Sequence, residues 1–175
     1  MNRLEQLYAN ALDEYINQLR TGNRRYTHII SFDPGGTTGI AVMRLDDVGI
    51  TWTTNVKYDG DMLKLITSLE SYLKTDDKIS ICPLVIIENF RARAGRAIAT
   101  TGFINVPERI IGSVQTICML RNLDCFLVEP DEHKSYVTKA KTKVFHEHYG
   151  IRQPKVVHEK DALTILHYGL YKFSR

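Results

Sequence analysis

The sequence predicts an α/β protein: one five-stranded mixed sheet flanked by helices, with an extra helix at the N-terminus. Three observations predict it. Short apolar, β-branched segments alternate with amphipathic ones. Tight-turn residues alone separate the first three apolar segments, which suits an antiparallel meander. Helix-length stretches separate the later ones, which suits parallel pairing beneath covering helices.

Residues 2–20 place Leu4, Leu7, Tyr8, Ala11, Tyr15, Ile16 and Leu19 at three- and four-residue steps, an amphipathic helix that stops near Gly22 and Asn23. Residues 26–32 are apolar and β-branched and predict a buried strand. The turn Asp33-Pro34-Gly35-Gly36-Thr37 leads into a second strand over 38–44. Asp46, Asp47 and Gly49 form the next turn, and residues 50–58, rich in threonine and aromatics, form a third strand. Leu63, Ile66, Leu69, Tyr72 and Leu73 share one face of a helix over 60–74. Residues 84–88 form a short apolar strand that ends in a carboxylate. Residues 89–101 have no clear period and read as a loop or frayed helix. A helix over 107–122 opens on Pro107, a residue suited to a first turn. A fifth strand covers 125–128, and residues 131–149 and 159–172 are helical.

The 175 residues fit one domain, divided as a helical extension over 1–25 and a main domain over 26–175. With 43% hydrophobic and 25% charged residues, enough apolar surface exists to offset chain entropy, so extensive disorder is excluded. No apolar run is long enough for a membrane helix. Cys82, Cys118 and Cys125 sit in apolar stretches without metal-ligand spacing. Their odd number, with no export signal, points to reduced thiols in a cytosol.

The net charge of +3 is unevenly spread. Residues 26–88 hold 5 basic and 9 acidic groups, and residues 89–160 hold 12 and 7. Two stretches are basic without any acid, one with Arg91, Arg93 and Arg96, the other with Lys134, Lys139, Lys141 and Lys143. A polyanionic partner explains this, and so does a solvated helix face.

Three carboxylates stand where their neighbours do not explain them. Asp33 and Glu88 end apolar strands, and Asp161 begins the last apolar helix. A carboxylate at the end of a buried strand is costly unless paired, hydrogen-bonded or metal-bound. Singly, each has an ordinary account: Asp33 as a turn initiator, Glu88 as a partner of Arg91 or Arg93, Asp161 as a helix-start charge. Jointly they suggest an acidic cluster. A hard cation such as Mg²⁺ relieves such repulsion, and two ions about 4 Å apart can stabilise attacking and leaving oxygens in phosphodiester cleavage. His158, three residues before Asp161, shares its side of a helix and could ligate a metal, position water or move a proton.

These residues carry a resemblance. Ile30-Ser31-Phe32-Asp33-Pro34-Gly35-Gly36-Thr37-Thr38-Gly39 resembles the first motif of RuvC-type Holliday junction resolvases, D-P-G-x-x-x-G. Glu88 after Val85-Ile86-Ile87 resembles the family's glutamate at the end of the fourth strand. His158-Glu159-Lys160-Asp161-Ala162 resembles its final H/D-x-x-D-A motif. The stretch from Pro130 to Thr138 resembles its P-x-E-x-K-x-x-V-T segment.

The resemblance, over about residues 26–172, implies a ribonuclease H-like fold and a homodimeric, metal-dependent endonuclease that cuts four-way junctions. It implies two Mg²⁺ ions, or Mn²⁺, at Asp33, Glu88, His158 and Asp161, with Lys134 as a further catalytic group. Phe90, Arg91, Arg93, Arg96, Lys134, Lys139 and Lys141 are the corresponding DNA-binding candidates. Phe90 lies two residues after Glu88, where the family often has an aromatic three residues after. Such proteins occur in the cytoplasm of bacteria and of phage-infected hosts, and the source stays open between the two. The same fold also serves nucleases of other branched DNA or structured RNA. An actin-like ATP-binding protein opens with a similar strand and turn, but it needs a second lobe that 175 residues hardly accommodate.

Overall fold

The computed structural model describes residues 1–46, 51–73, 82–89 and 106–175. The chain begins with helix α1 (Arg3–Thr21), followed by strands β1 (His28–Asp33), β2 (Thr37–Arg44) and β3 (Thr51–Lys57). Helix α2 (Met62–Leu73), strand β4 (Pro83–Glu88), helix α3 (Val106–Leu120) and strand β5 (Asp124–Val128) come next. Helices α4 (Pro130–Tyr136), α5 (Lys139–His148) and α6 (Val157–Phe173) complete it. The five strands form one sheet in the order β3-β2-β1-β4-β5. β1, β2 and β3 pair antiparallel, whereas β4 runs parallel to both β1 and β5.

The strands agree with the expected ones to within two residues at each end. The segment 89–101 lies outside the described residues apart from Asn89. The helical stretch 131–149 is two helices. Val137 leaves the helical conformation (φ −86°, ψ 89°), and the Thr138 hydroxyl accepts the Lys141 N–H to start α5 afresh. Two consecutive β-branched residues weaken the helix there, and the Thr138 cap offsets the break. The last helix starts earlier than expected, at Val157, which puts His158 inside its first turn and Asp161 one turn along.

Strand alternation divides the core in two. Ile30, Phe32, Ile40, Val42, Val85 and Ile87 pack against Leu65, Leu69 and Leu73 of α2 and Ile110, Val114 and Cys118 of α3. Ile29, Ala41, Met43, Leu84 and Ile86 pack against α1, α5 and α6. In α1, Leu12, Ile16 and Leu19 are buried in this second cluster, roughly 1.5–3 kcal/mol of burial each. A capping box between Asn2 and Glu5 starts that helix, and the Tyr8 hydroxyl meets His167 Nε2 at 2.8 Å.

Helix α6 crosses the sheet obliquely. Glu159 Oε1 and Oε2 accept from Asn55 Nδ2 (2.6 Å) and Thr53 Oγ1 (3.1 Å) of β3. Ser31 of β1 donates to the Ala162 carbonyl at 2.6 Å. Gly169 packs on Ile86 of β4, and Phe173 stacks on Phe126 of β5 with ring centroids 4.6 Å apart. Two glycines permit this path. A Cβ on Gly39 would overlap the backbone carbonyl of His158, and one on Gly169 would overlap the Ile86 side chain.

Candidate active site

Register and alternation place the two strand-end carboxylates together. Phe32 of β1 lies beside Ile87 of β4 in the parallel ladder, so the next step on each strand brings Asp33 beside Glu88. Asp33 alternates with Phe32, and Glu88 with Ile87. Both therefore point to the opposite face, the one α6 covers. Their carboxyl groups lie close enough to shift each other's titration.

Two helices complete the site. From α6, His158 Nδ1 is hydrogen-bonded to Asp33 Oδ2 at 2.8 Å, and the Asp161 charge acts on Asp33. From α4, His133 Nε2 reaches Glu88 Oε1 at 3.0 Å and Lys134 Nζ reaches the same oxygen at 3.5 Å. The two basic groups approach from opposite environments: the His133 side chain is 0% exposed and that of Lys134 61%.

The carboxylates titrate as a coupled pair. Burial and the hydrogen bond to Glu88 push Asp33 well above the usual carboxylate range, against the opposing bond from His158. The charges of Glu88 and Asp161 add to the rise. Burial alone would raise Glu88, but the hydrogen bonds to His133 and Asp33, with the Lys134 charge, hold it well below its ordinary value. The opposite shifts make Asp33 the readier of the two to hold a proton and Glu88 the readier to stay ionised. An ionised carboxylate only accepts, so His133 Nε2 carries a hydrogen. His133 Nδ1 is buried with no hydrogen-bond partner among the described residues.

The sequence reading expected Asp33, Glu88 and Asp161 in one acidic pocket. The structure brings the first two into contact, with His158 beside them. Asp161 is near enough to act electrostatically but makes no hydrogen bond to either among the described residues. Among those residues no three carboxylate, histidine or cysteine side chains form a ready-made cation cage. The donor chemistry nevertheless fits a hard divalent ion. Mg²⁺ is commonly held by one or two carboxylates, with water and substrate phosphate supplying the rest, and Asp33 and Glu88 stand side by side at neighbouring strand ends.

Of the DNA-binding candidates, Phe90, Arg91, Arg93 and Arg96 lie outside the described residues. Lys139 is exposed at the start of α5. Lys141 lies with its ammonium 3.4 Å from the centroid of the Tyr136 ring, and burial lowers its pKa. Two residues given no role from the sequence shape the site, His133 beneath Glu88 and Glu159 tying α6 to β3, and the closing glycine of the first motif, Gly39, admits the His158 backbone. Gly39 carried a readable signal, a glycine within a strand.

The fold these elements define is ribonuclease H-like, a mixed five-stranded sheet with helices on both faces. Thermus thermophilus RuvC has it too. Its structure in complex with a Holliday junction substrate superposes with a TM-score of 0.59 at 14% identity, covering 83% of this chain and 94% of that one. A second T. thermophilus RuvC structure gives 0.53 at 15% identity, covering 82% and 94%. No protein-family model and no curated protein sequence matches the chain.

Proposed function

We propose that this chain is a metal-dependent endonuclease that cuts branched DNA, and four-way junctions in particular, as a homodimer. The contact between Asp33 and Glu88 at neighbouring parallel strand ends, in a fold shared with a junction-bound nuclease, carries this reading. A bound divalent cation would neutralise charge on the scissile phosphate and make its water a better nucleophile. Asp33 and Glu88 would hold it, and Asp161 would add negative charge.

The chain's own groups divide the remaining work. His133 and Lys134 hold Glu88 Oε1 and keep the carboxylate ionised. His158, bonded to Asp33 on one side and partly exposed on the other, is placed to hold the attacking water or move its proton at the imidazole. The Lys134 ammonium can turn from Glu88 to charge developing on the phosphate. Lys139 would hold backbone phosphates without reading sequence.

Purified protein with Mg²⁺ or Mn²⁺ should nick a synthetic four-way junction in two opposing strands, and Asp33→Asn should not. Absence of cutting by the natural sequence, or equal cutting by the variant, ends this reading. Flap, hybrid-duplex and structured-RNA arms of the same assay assign the substrate.

A further inference from the structure

Between α5, α6 and the segment joining them lies a cavity of about 420 Å³. It is distinct from the Asp33–Glu88 site, although both draw on α6. Its lining contains the cations Lys139 and Lys160 and no carboxylate, in a chain with 20 acidic residues. Neither lysine forms an ion pair among the described residues, so both ammonium groups are free to meet an anion.

The cavity floor has a different character. Phe145, Leu163 and Pro154 supply a buried apolar surface, and the His167 ring lies flat on Phe145 with centroids 4.2 Å apart. His167 is 1% exposed, and its Nδ1 has no partner among the described residues. Gln153 adds an exposed amide that can donate and accept at the edge of a ring. A volume of this size accommodates a nucleoside. A planar apolar body with an attached phosphate satisfies both halves of the lining.

We propose that this cavity binds one nucleotide of an unpaired DNA strand, its phosphate between Lys139 and Lys160 and its base over Phe145, Leu163 and Pro154. The inference rests on the nuclease reading for its choice of ligand and names a feature of the substrate, a nucleotide freed from its stack near the cleavage site. Lys160 immediately precedes Asp161, so the cavity and the carboxylate site share the first turns of α6.

Amide chemical shifts of the full chain in EDTA, titrated with deoxyadenosine 5′-monophosphate, test it without any cleavage. Shifts are expected at 139–142 and 160–164. Inorganic phosphate and deoxyadenosine, each lacking one half of the ligand, should bind at least about tenfold more weakly. Replacing both exposed lysines, Lys139→Gln with Lys160→Gln, should weaken the monophosphate by about tenfold or more while the spectrum stays folded. No response at these residues up to about 10 mM overturns the proposal, as does equal binding of phosphate alone or indifference to the double substitution. Junction cutting without nucleotide binding removes this inference alone. Nucleotide binding without metal-dependent cutting keeps it and removes the nuclease reading.

Discussion

Replacing His133 with alanine tests the electrostatic account of the site at its most buried point. The substitution removes the Nε2–H that donates to Glu88 Oε1 and leaves a carboxylate, 14% exposed, with Asp33 beside it and an exposed lysine 3.5 Å away. A hydrogen bond to a charged group is worth about 1.5–3 kcal/mol, and the unfilled space left by a fully buried ring adds to the loss. The expected destabilisation at neutral pH is about 2–4 kcal/mol. Glu88 lies below its ordinary pKa in the folded chain, so its contribution is present above the unfolded value and fades as pH falls through the folded one. The penalty of His133→Ala should therefore shrink steadily as pH drops below the ordinary glutamate range. Urea unfolding in EDTA, repeated between neutral pH and about pH 2, where Glu88 titrates in the folded chain, measures this. A loss that stays constant over that range would show that His133 merely fills space, and the description of Glu88 as a clamped anion would be wrong.

Three other outcomes follow from the geometry. Gly39→Ala should destabilise by at least about 1–3 kcal/mol and displace the start of α6, because its Cβ meets backbone rather than a movable side chain; unfolding midpoints and the His158 ring signals report both. Lys134→Ala should change stability by less than about 0.5 kcal/mol, since the side chain is 61% exposed, yet slow cleavage by about ten- to a hundredfold under single-turnover conditions. Leu12→Ala, in the middle of α1, should cost about 2–5 kcal/mol by denaturant titration, whereas a helix serving only as an appendage would tolerate it.

Much of this architecture was legible in the sequence because its signals are local. Apolar runs closed by Asp33 and Glu88 fixed two strand ends. Parallel pairing between segments joined by a long crossover then implied that those ends share one edge of the sheet. Alternation decided the face. The break at Val137 and Thr138 escaped notice because helical periodicity continues in register across a single capped junction. His133 gave no signal either, since a histidine beside a lysine in a polar helix looks like solvent-facing charge until the strand beneath it is known. Asp161 was expected to join the carboxylate pair directly. In the structure its charge acts on Asp33 without a hydrogen bond among the described residues, because the path of α6 over the sheet is a tertiary feature that sequence spacing does not carry.

That oblique helix has a mechanical corollary. One rod touches every strand, with the end bearing His158 gripped at Glu159 and the far end seated on Phe126. Small side-chain changes around Gly169 or Phe173 would slide or tilt the whole rod, so the spacing between His158, Asp161 and the strand carboxylates can be tuned from the other side of the molecule without altering any of those residues.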